Sequence, residues 1–128
     1  MFQGIEHTAI ASPDPHRLAQ WYVENLGFTV NWRSDSSKTV FVKAKNGSMI
    51  EIIEARGNAS AAGGDMRDAG LRHLAIQVQD FAAAYEKLRR AGIVFLTEPE
   101  TRNGNTVAFF TDCDGNILHL LPREVPME

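Results

Sequence analysis

A seven-residue phrase occurs twice in this chain: Gly4-Ile5-Glu6-His7-Thr8-Ala9-Ile10 returns, with its histidine in register, as Gly70-Leu71-Arg72-His73-Leu74-Ala75-Ile76. A second phrase, Gly47-Ser48-Met49-Ile50-Glu51-Ile52-Ile53, returns as Gly115-Asn116-Ile117-Leu118-His119-Leu120-Leu121. The histidines are 66 residues apart, and Glu51 precedes His119 by 68. Matching offsets at two separated places indicate that one supersecondary unit was duplicated, which restricts the fold to two copies of a module. A length of 128 residues suits a single domain assembled from two such halves. The expected division is a first module over about 1–56, a linker over about 57–69, a second module over about 70–122 and a short tail over 123–128.

Local signals give both modules the order strand, helix, three strands. The first strand is expected over Ile5 to Ala11. Asp14 then caps a helix with Pro15 in its first position, where a missing N–H does no harm, and Gly27 ends it. Leu18, Trp21, Tyr22 and Leu26 form its apolar stripe. Strands follow at Phe28 to Trp32, Thr39 to Ala44 and Ser48 to Glu54, the last two joined through the turn residues Asn46-Gly47. In the second module a strand over Leu71 to Val78 leads to a helix capped by Asp80, with Phe81, Tyr85 and Leu88 on one face and a stop at Gly92. Strands are expected at Ile93 to Leu96, Thr106 to Thr111 and Asn116 to Leu121, with Arg102-Asn103-Gly104-Asn105 as a turn. The fold class is therefore α+β, two tandem βαβββ modules.

A hydrophobic content of 44% is too high for a disordered chain. A net charge of −3, with its 13 Lys and Arg scattered, gives no general attraction to nucleic acid. No stretch has the length or apolarity of a membrane span, and the start of the chain, reaching Glu6 and His7 at once, does not read as a signal peptide. A cytoplasmic location without a membrane partner is the expectation. Cys113 is the one cysteine, which rules out an internal disulfide, and it reads as a small buried thiol rather than a nucleophile.

Alternation along a strand puts His7 on a face with Ile5 and Ala9, and His73 on a face with Leu71 and Ala75, opposite the faces that seat the helices. By the same rule Met49, Glu51 and Ile53 share one face, and Ile117, His119 and Leu121 share its counterpart. A carboxylate among Met and Ile side chains carries a large desolvation cost, which a cation relieves. Two strand histidines alone would more often be structural; their repetition together with Glu51 and His119 makes His7, Glu51, His73 and His119 the candidate metal ligands. Three imidazoles and one carboxylate suit Zn, Fe, Mn, Co or Ni, and suit neither calcium nor a thiolate-bound structural zinc. His16, in a first helical turn outside the repeat, reads as a surface residue, and Glu6 and Glu54 fall on the wrong parity.

The His7 strand, the run from Asp14 through Trp21-Tyr22 to Leu26-Gly27-Phe28, the Gly47 to Ile53 strand, the His73 strand and Asp112-Cys113-Asp114-Gly115-Asn116 together resemble the vicinal oxygen chelate superfamily. That group includes glyoxalase I, methylmalonyl-CoA epimerase, fosfomycin- and bleomycin-resistance proteins and extradiol dioxygenases. The resemblance implies paired modules whose mostly antiparallel eight-stranded sheet cups a metal, with helices outside and the ligands on the first and last strand of each module. The four ligand candidates match those positions. It further implies a small-molecule substrate that binds the metal through two neighbouring oxygens, and a homodimer whose sites lie within one chain or across two. The family's last ligand is usually Glu where this chain has His119. A metal-bound histidine is a poor proton shuttle, which leaves Glu51 as the candidate catalytic base. The expected activity is that of a metal-dependent lyase or isomerase of glyoxalase type. Two histidines and a carboxylate also suit a non-haem iron dioxygenase of extradiol type, and a non-catalytic protein that sequesters an antibiotic or other ligand is the alternative from a different class. Trp21, Trp32, Phe41 and Phe109 could line a cavity for such a ligand, although most read as core.

Overall fold

The computed structural model describes residues 1–57 and 66–127. It divides into two units, Met1–Ala59 and Ser60–Glu128. The middle of the expected linker, 58–65, lies outside the described residues. Each unit runs strand, helix, three strands, so the α+β two-module fold expected from the repeat is the fold observed.

In the first unit, β1 (His7–Ser12) leads into α1 (Pro15–Leu26), followed by β2 (Thr29–Arg33), β3 (Val40–Lys43) and β4 (Met49–Glu54). The helix begins where local chemistry says it should: Asp14 accepts a hydrogen bond from the Arg17 amide at 3.2 Å, and Pro15 takes a position that needs no donor. It ends at Gly27, whose left-handed φ of 72° lets the Phe28 amide return to the Tyr22 carbonyl. The sheet order is β1-β4-β3-β2, with β1 parallel to β4 and the other pairs antiparallel. Leu18, Ala19 and Tyr22 of α1 are buried, as are Val40, Val42, Ile50 and Ile52 of the sheet. Leu18, Val40, Val42 and Ile52, removed fully from water, each contribute roughly 1.5–3 kcal/mol. His7, Ala9, Phe41, Glu51 and Ile53 alternate onto the other face.

The second unit repeats the plan with β5 (Leu74–Gln77), α2 (Phe81–Arg90), β6 (Glu100–Arg102), β7 (Asn105–Thr111) and β8 (Ile117–Leu121), in the sheet order β5-β8-β7-β6. Asp80 caps α2 by accepting from the Ala83 amide, and Lys87, Arg89 and Arg90 fill its last turn, where cations meet the negative end of the helix dipole. Phe110, Leu118 and Leu120 face the helix side, with Phe95 and Tyr85 packed ring on ring above them. On the opposite face Val107, Phe109 and Ile117 form a buried cluster with Met66 and Leu121.

Three sequence expectations shift. No strand forms over Ile93 to Leu96. The Leu96 amide reaches the Phe109 carbonyl at 2.7 Å, but the Phe109 amide bonds to the Thr97 hydroxyl instead of a backbone carbonyl, so the ladder stops there. The edge strand is Glu100–Arg102, and the residues read as a turn, Arg102 and Asn105, pair with each other across β6 and β7. The expected tail is tied down: buried Asn105 donates to the Val125 carbonyl and accepts from the Val125 amide, both at 3.0 Å. Among the described residues, no helix is long and apolar enough to cross a membrane.

Candidate metal centre

The duplicated phrases are register-equivalent in the two sheets. Ala9 pairs with Glu51 and Ala75 with His119 along the parallel edges, while Phe41 pairs with Glu51 and Phe109 with His119 along the antiparallel ones. Each unit thus sets its candidate ligands beside one methyl group and one aromatic ring.

In the first unit His7 opens β1 and Glu51 sits mid-β4, with His7 Nε2 3.4 Å from Glu51 Oε1. The other ring nitrogen, Nδ1, lies 2.5 Å from Glu6 Oε1. Two donors that each stand about 2.1 Å from one tetrahedral ion are roughly 3.4 Å apart, so the His7–Glu51 spacing fits a shared cation. When His7 is neutral its Nδ1–H is held by the Glu6 carboxylate and the lone pair is left on Nε2, the arrangement that orients metal-binding imidazoles. Without a cation the same neighbours favour the imidazolium: the hydrogen bond to Glu6, together with the charges of Glu6 and Glu51, raises the His7 pKa against the opposing effect of desolvation. The Phe41 ring lies 5.2 Å from the His7 ring and edge-on to it, and Trp32 leans on Phe41 at 6.0 Å. Trp32 is 53% exposed and so is not a core residue of its unit.

In the second unit His73 stands just before β5, outside the strand expected to carry it, because regular pairing begins only at Leu74. Its ring is nevertheless 4.8 Å from that of His119 and 5.5 Å from Phe109. His119 is buried in β8, and its Nδ1 lies 3.1 Å from the Leu120 carbonyl. A carbonyl only accepts, so Nδ1 carries the hydrogen and Nε2 the lone pair. Burial lowers the His119 pKa; the Leu120 carbonyl opposes this, and the nearby charges of His73, Arg102 and Arg123 add to the lowering. A neutral imidazole with a fixed tautomer results.

All four sequence candidates therefore lie in two pairs, His7 with Glu51 and His73 with His119. Among the described residues no group of three or more His, Cys, Asp or Glu gathers as an ion site. His16 is exposed in the first turn of α1, and Cys113 is half-buried with Sγ 4.0 Å from Asp114 Oδ1. Sequence parity missed Glu6. It precedes β1, where the pleat has not begun, and its side chain turns to the neighbouring imidazole.

An ethylmalonyl-CoA/methylmalonyl-CoA epimerase of Cereibacter sphaeroides is 29% identical over 126 residues, covering 91% of this chain and 93% of that protein. A probable lactoylglutathione lyase of Vibrio cholerae is 24% identical over 129 residues, covering 94% and 91%. Among solved structures, the oxidase ChaP-H2 matches with a TM-score of 0.75 at 23% identity over 98% of both chains, a likeness of fold. The family model covers residues 4–120, from the glycine that opens the first repeated phrase to the strand that carries His119, and the chain belongs to the Glyoxalase/Bleomycin resistance protein/Dioxygenase superfamily.

Proposed function

We propose that the protein is a metal-dependent lyase or isomerase of glyoxalase type, with His7, Glu51, His73 and His119 as ligands of one divalent transition metal. The two pairs would meet within one chain or across a homodimer. The observation that carries this reading is the register-equivalent repetition of a ligand pair, in which His7 and His119 each have Nδ1 anchored and Nε2 left as donor. Zn, Fe, Mn, Co or Ni suits three imidazoles and one carboxylate. Such an ion, when bound, supplies Lewis acidity to a substrate that presents two neighbouring oxygens.

Glu51 is the residue of the set suited to move a proton on the substrate. Its second carboxylate oxygen remains for that task while Oε1 faces His7. His119 has no equivalent capacity, because its Nδ1–H points at the Leu120 carbonyl, which takes no proton. Phe41, opposite Glu51 in the register, gives the carboxylate an apolar neighbour. Two relatives bear the names of an epimerase and a lyase, which favours an isomerase or lyase over an oxygenase for this chain.

Elemental analysis of tag-free protein tests the reading. Wild type should retain a stoichiometric transition metal that His7→Ala and His119→Ala lose. Glu51→Gln, assayed with metal added in excess, should abolish exchange of a carbon-bound substrate proton with deuterated water, followed by NMR on a hemithioacetal or a 2-substituted acyl thioester. A wild-type protein that neither retains nor binds a transition metal would sink the enzyme reading in favour of ligand sequestration. Oxygen uptake with a catechol by iron-loaded protein would replace it with a dioxygenase.

A further inference from the structure

The two units differ in what lies over the aromatic ring beside the last-strand ligand. In the first unit, the residue paired with Phe41 on β2 is Trp32, an indole leaning on the ring. In the second unit, the Phe109 ring carries a cation: the Arg102 guanidinium carbon lies 5.3 Å from its centroid, and the ring itself is 4.8 Å from that of His119. The register accounts for this placement. Arg102 pairs with Asn105 and Glu100 with Val107, directly opposed residues share a face, and Asn105, Val107 and Phe109 alternate onto the face of His119.

Arg102 is not needed there to hold the fold. Its side chain is 58% exposed, and the duplicated module accommodates a neutral indole over the corresponding ring. Its ion pair with Glu100 runs through Nη2 at 2.6 Å. Among the described residues, Nε and Nη1 make no other hydrogen bond, and a guanidinium fork has donors enough for a second carboxylate. A cation already held against an aromatic ring has less freedom left to lose on binding.

We propose that Arg102 is a specificity-determining residue, whose guanidinium receives a carboxylate borne by the substrate beside the His73–His119 pair. The substrate is then an anionic chelator: two neighbouring oxygens for the ion, and a carboxylate a few bonds away. The chelating part rests on the metal reading above, whereas the carboxylate part rests on Arg102 and Phe109 alone. Glu100 satisfies the guanidinium in the free protein, so an analogue without a carboxylate leaves that ion pair as it is and gains nothing from Arg102.

Two hydroxamates test it by calorimetry on the metal-loaded full chain: acetohydroxamate, which only chelates, and succinic monohydroxamate, which chelates and bears a carboxylate. Wild type should prefer the second by roughly tenfold or more, the worth of one hydrogen bond to a charged group. Arg102→Gln should bring the preference to near unity, and Arg102→Lys should fall between, lacking the fork. A preference that survives Arg102→Gln overturns the proposal. Metal-free protein provides a second reading, the Arg102 Nε–H signal in nitrogen-15 spectra during titration with succinate. A shift there in a protein that binds no metal supports the carboxylate site while the metal reading falls. An unmoved Arg102 signal, with both hydroxamates bound equally by the metal-loaded protein, refutes the carboxylate site and leaves the metal reading intact.

Discussion

Replacing Asp112 should loosen the hairpin that fixes His119 opposite Phe109. Asp112 is 4% exposed, and its carboxylate accepts from the Asp114 amide at 2.9 Å, the Asn116 amide at 3.0 Å and the Asn116 side chain at 2.9 and 3.1 Å. These bonds close the turn between β7 and β8, from which the pairs Thr111 with Ile117 and Phe109 with His119 count off. In Asp112→Ala the two backbone donors lose their acceptor inside a half-buried turn. At about 1–1.5 kcal/mol each, allowing for partial rescue by water, the cost is about 2–3 kcal/mol; the Asn116 side chain can turn to solvent and adds little. Asp112→Asn keeps an oxygen for the backbone donors but sets its own amide against that of Asn116, for a cost of about 1 kcal/mol. Because Asp112 and Asn116 share their bonds, the double Asp112→Ala/Asn116→Ala variant should cost no more than Asp112→Ala alone, to within about 0.5 kcal/mol. Amide hydrogen exchange along β7 and β8 reads the effect, and a loss of 2–3 kcal/mol means exchange roughly 30- to 150-fold faster. Both tryptophans, Trp21 and Trp32, lie in the first unit, so their fluorescence serves as an internal control that should not move. Exchange within about threefold of wild type in Asp112→Ala, or equal damage from Asp112→Asn, would refute the reasoning.

Further outcomes follow from the imidazoles and the anchored C-terminal segment. The pKa of His7 is raised, chiefly by Glu6, so its interactions stabilise the metal-free protein fully below the unfolded value of about 6.5 and cease to do so as pH rises through the higher folded value. The bound proton also competes with metal as pH falls through that folded value. Glu6→Gln should move the His7 titration, followed by its ring proton NMR signals, to lower pH and weaken metal binding roughly 10- to 100-fold at neutral pH. The pKa of His119 is lowered by burial, so the metal-free second unit should hold its stability above about pH 6.5 and lose it as pH falls through the lower folded value. In His119→Gln the part of that pH dependence read by β8 amide exchange should vanish. Asn105→Ala removes both bonds to the Val125 backbone and should cost about 1–3 kcal/mol, freeing residues 123–127 to proteolysis without changing metal content.

What could be read in the sequence was whatever is settled within a few residues or stated twice. Asp14, Pro15 and Gly27 bound α1 because caps are local, and the four ligand candidates were visible because the repeat reports equivalence of position without any contact being known. Strand alternation correctly sent Glu51 and His119 away from the helices. It failed at strand ends: His73 lies one residue before regular pairing begins, and Glu6 turns toward His7 where parity placed it outward. The missing strand at Ile93 to Leu96 depends on a hydroxyl twelve residues from its partner, Thr97 to Phe109, which no local pattern announces. Arg102 hid for the same reason, since Asn103-Gly104 reads as a turn centre and the strand before it has only three residues.

Ala9 and Ala75 are the register partners of Glu51 and His119. Adjacent strands stand about 5 Å apart, so a side chain much longer than a methyl group at either position would press on the carboxylate or imidazole beside it. The room those donors need is thus written into the sequence as smallness, in both halves, as deliberately as the donors themselves. Ala9→Leu or Ala75→Leu should therefore occlude the neighbouring donor while leaving all four in place. A relative that kept both histidines, the glutamate and His119 but carried bulk at either alanine would present an intact list of ligands around a space too small to use them.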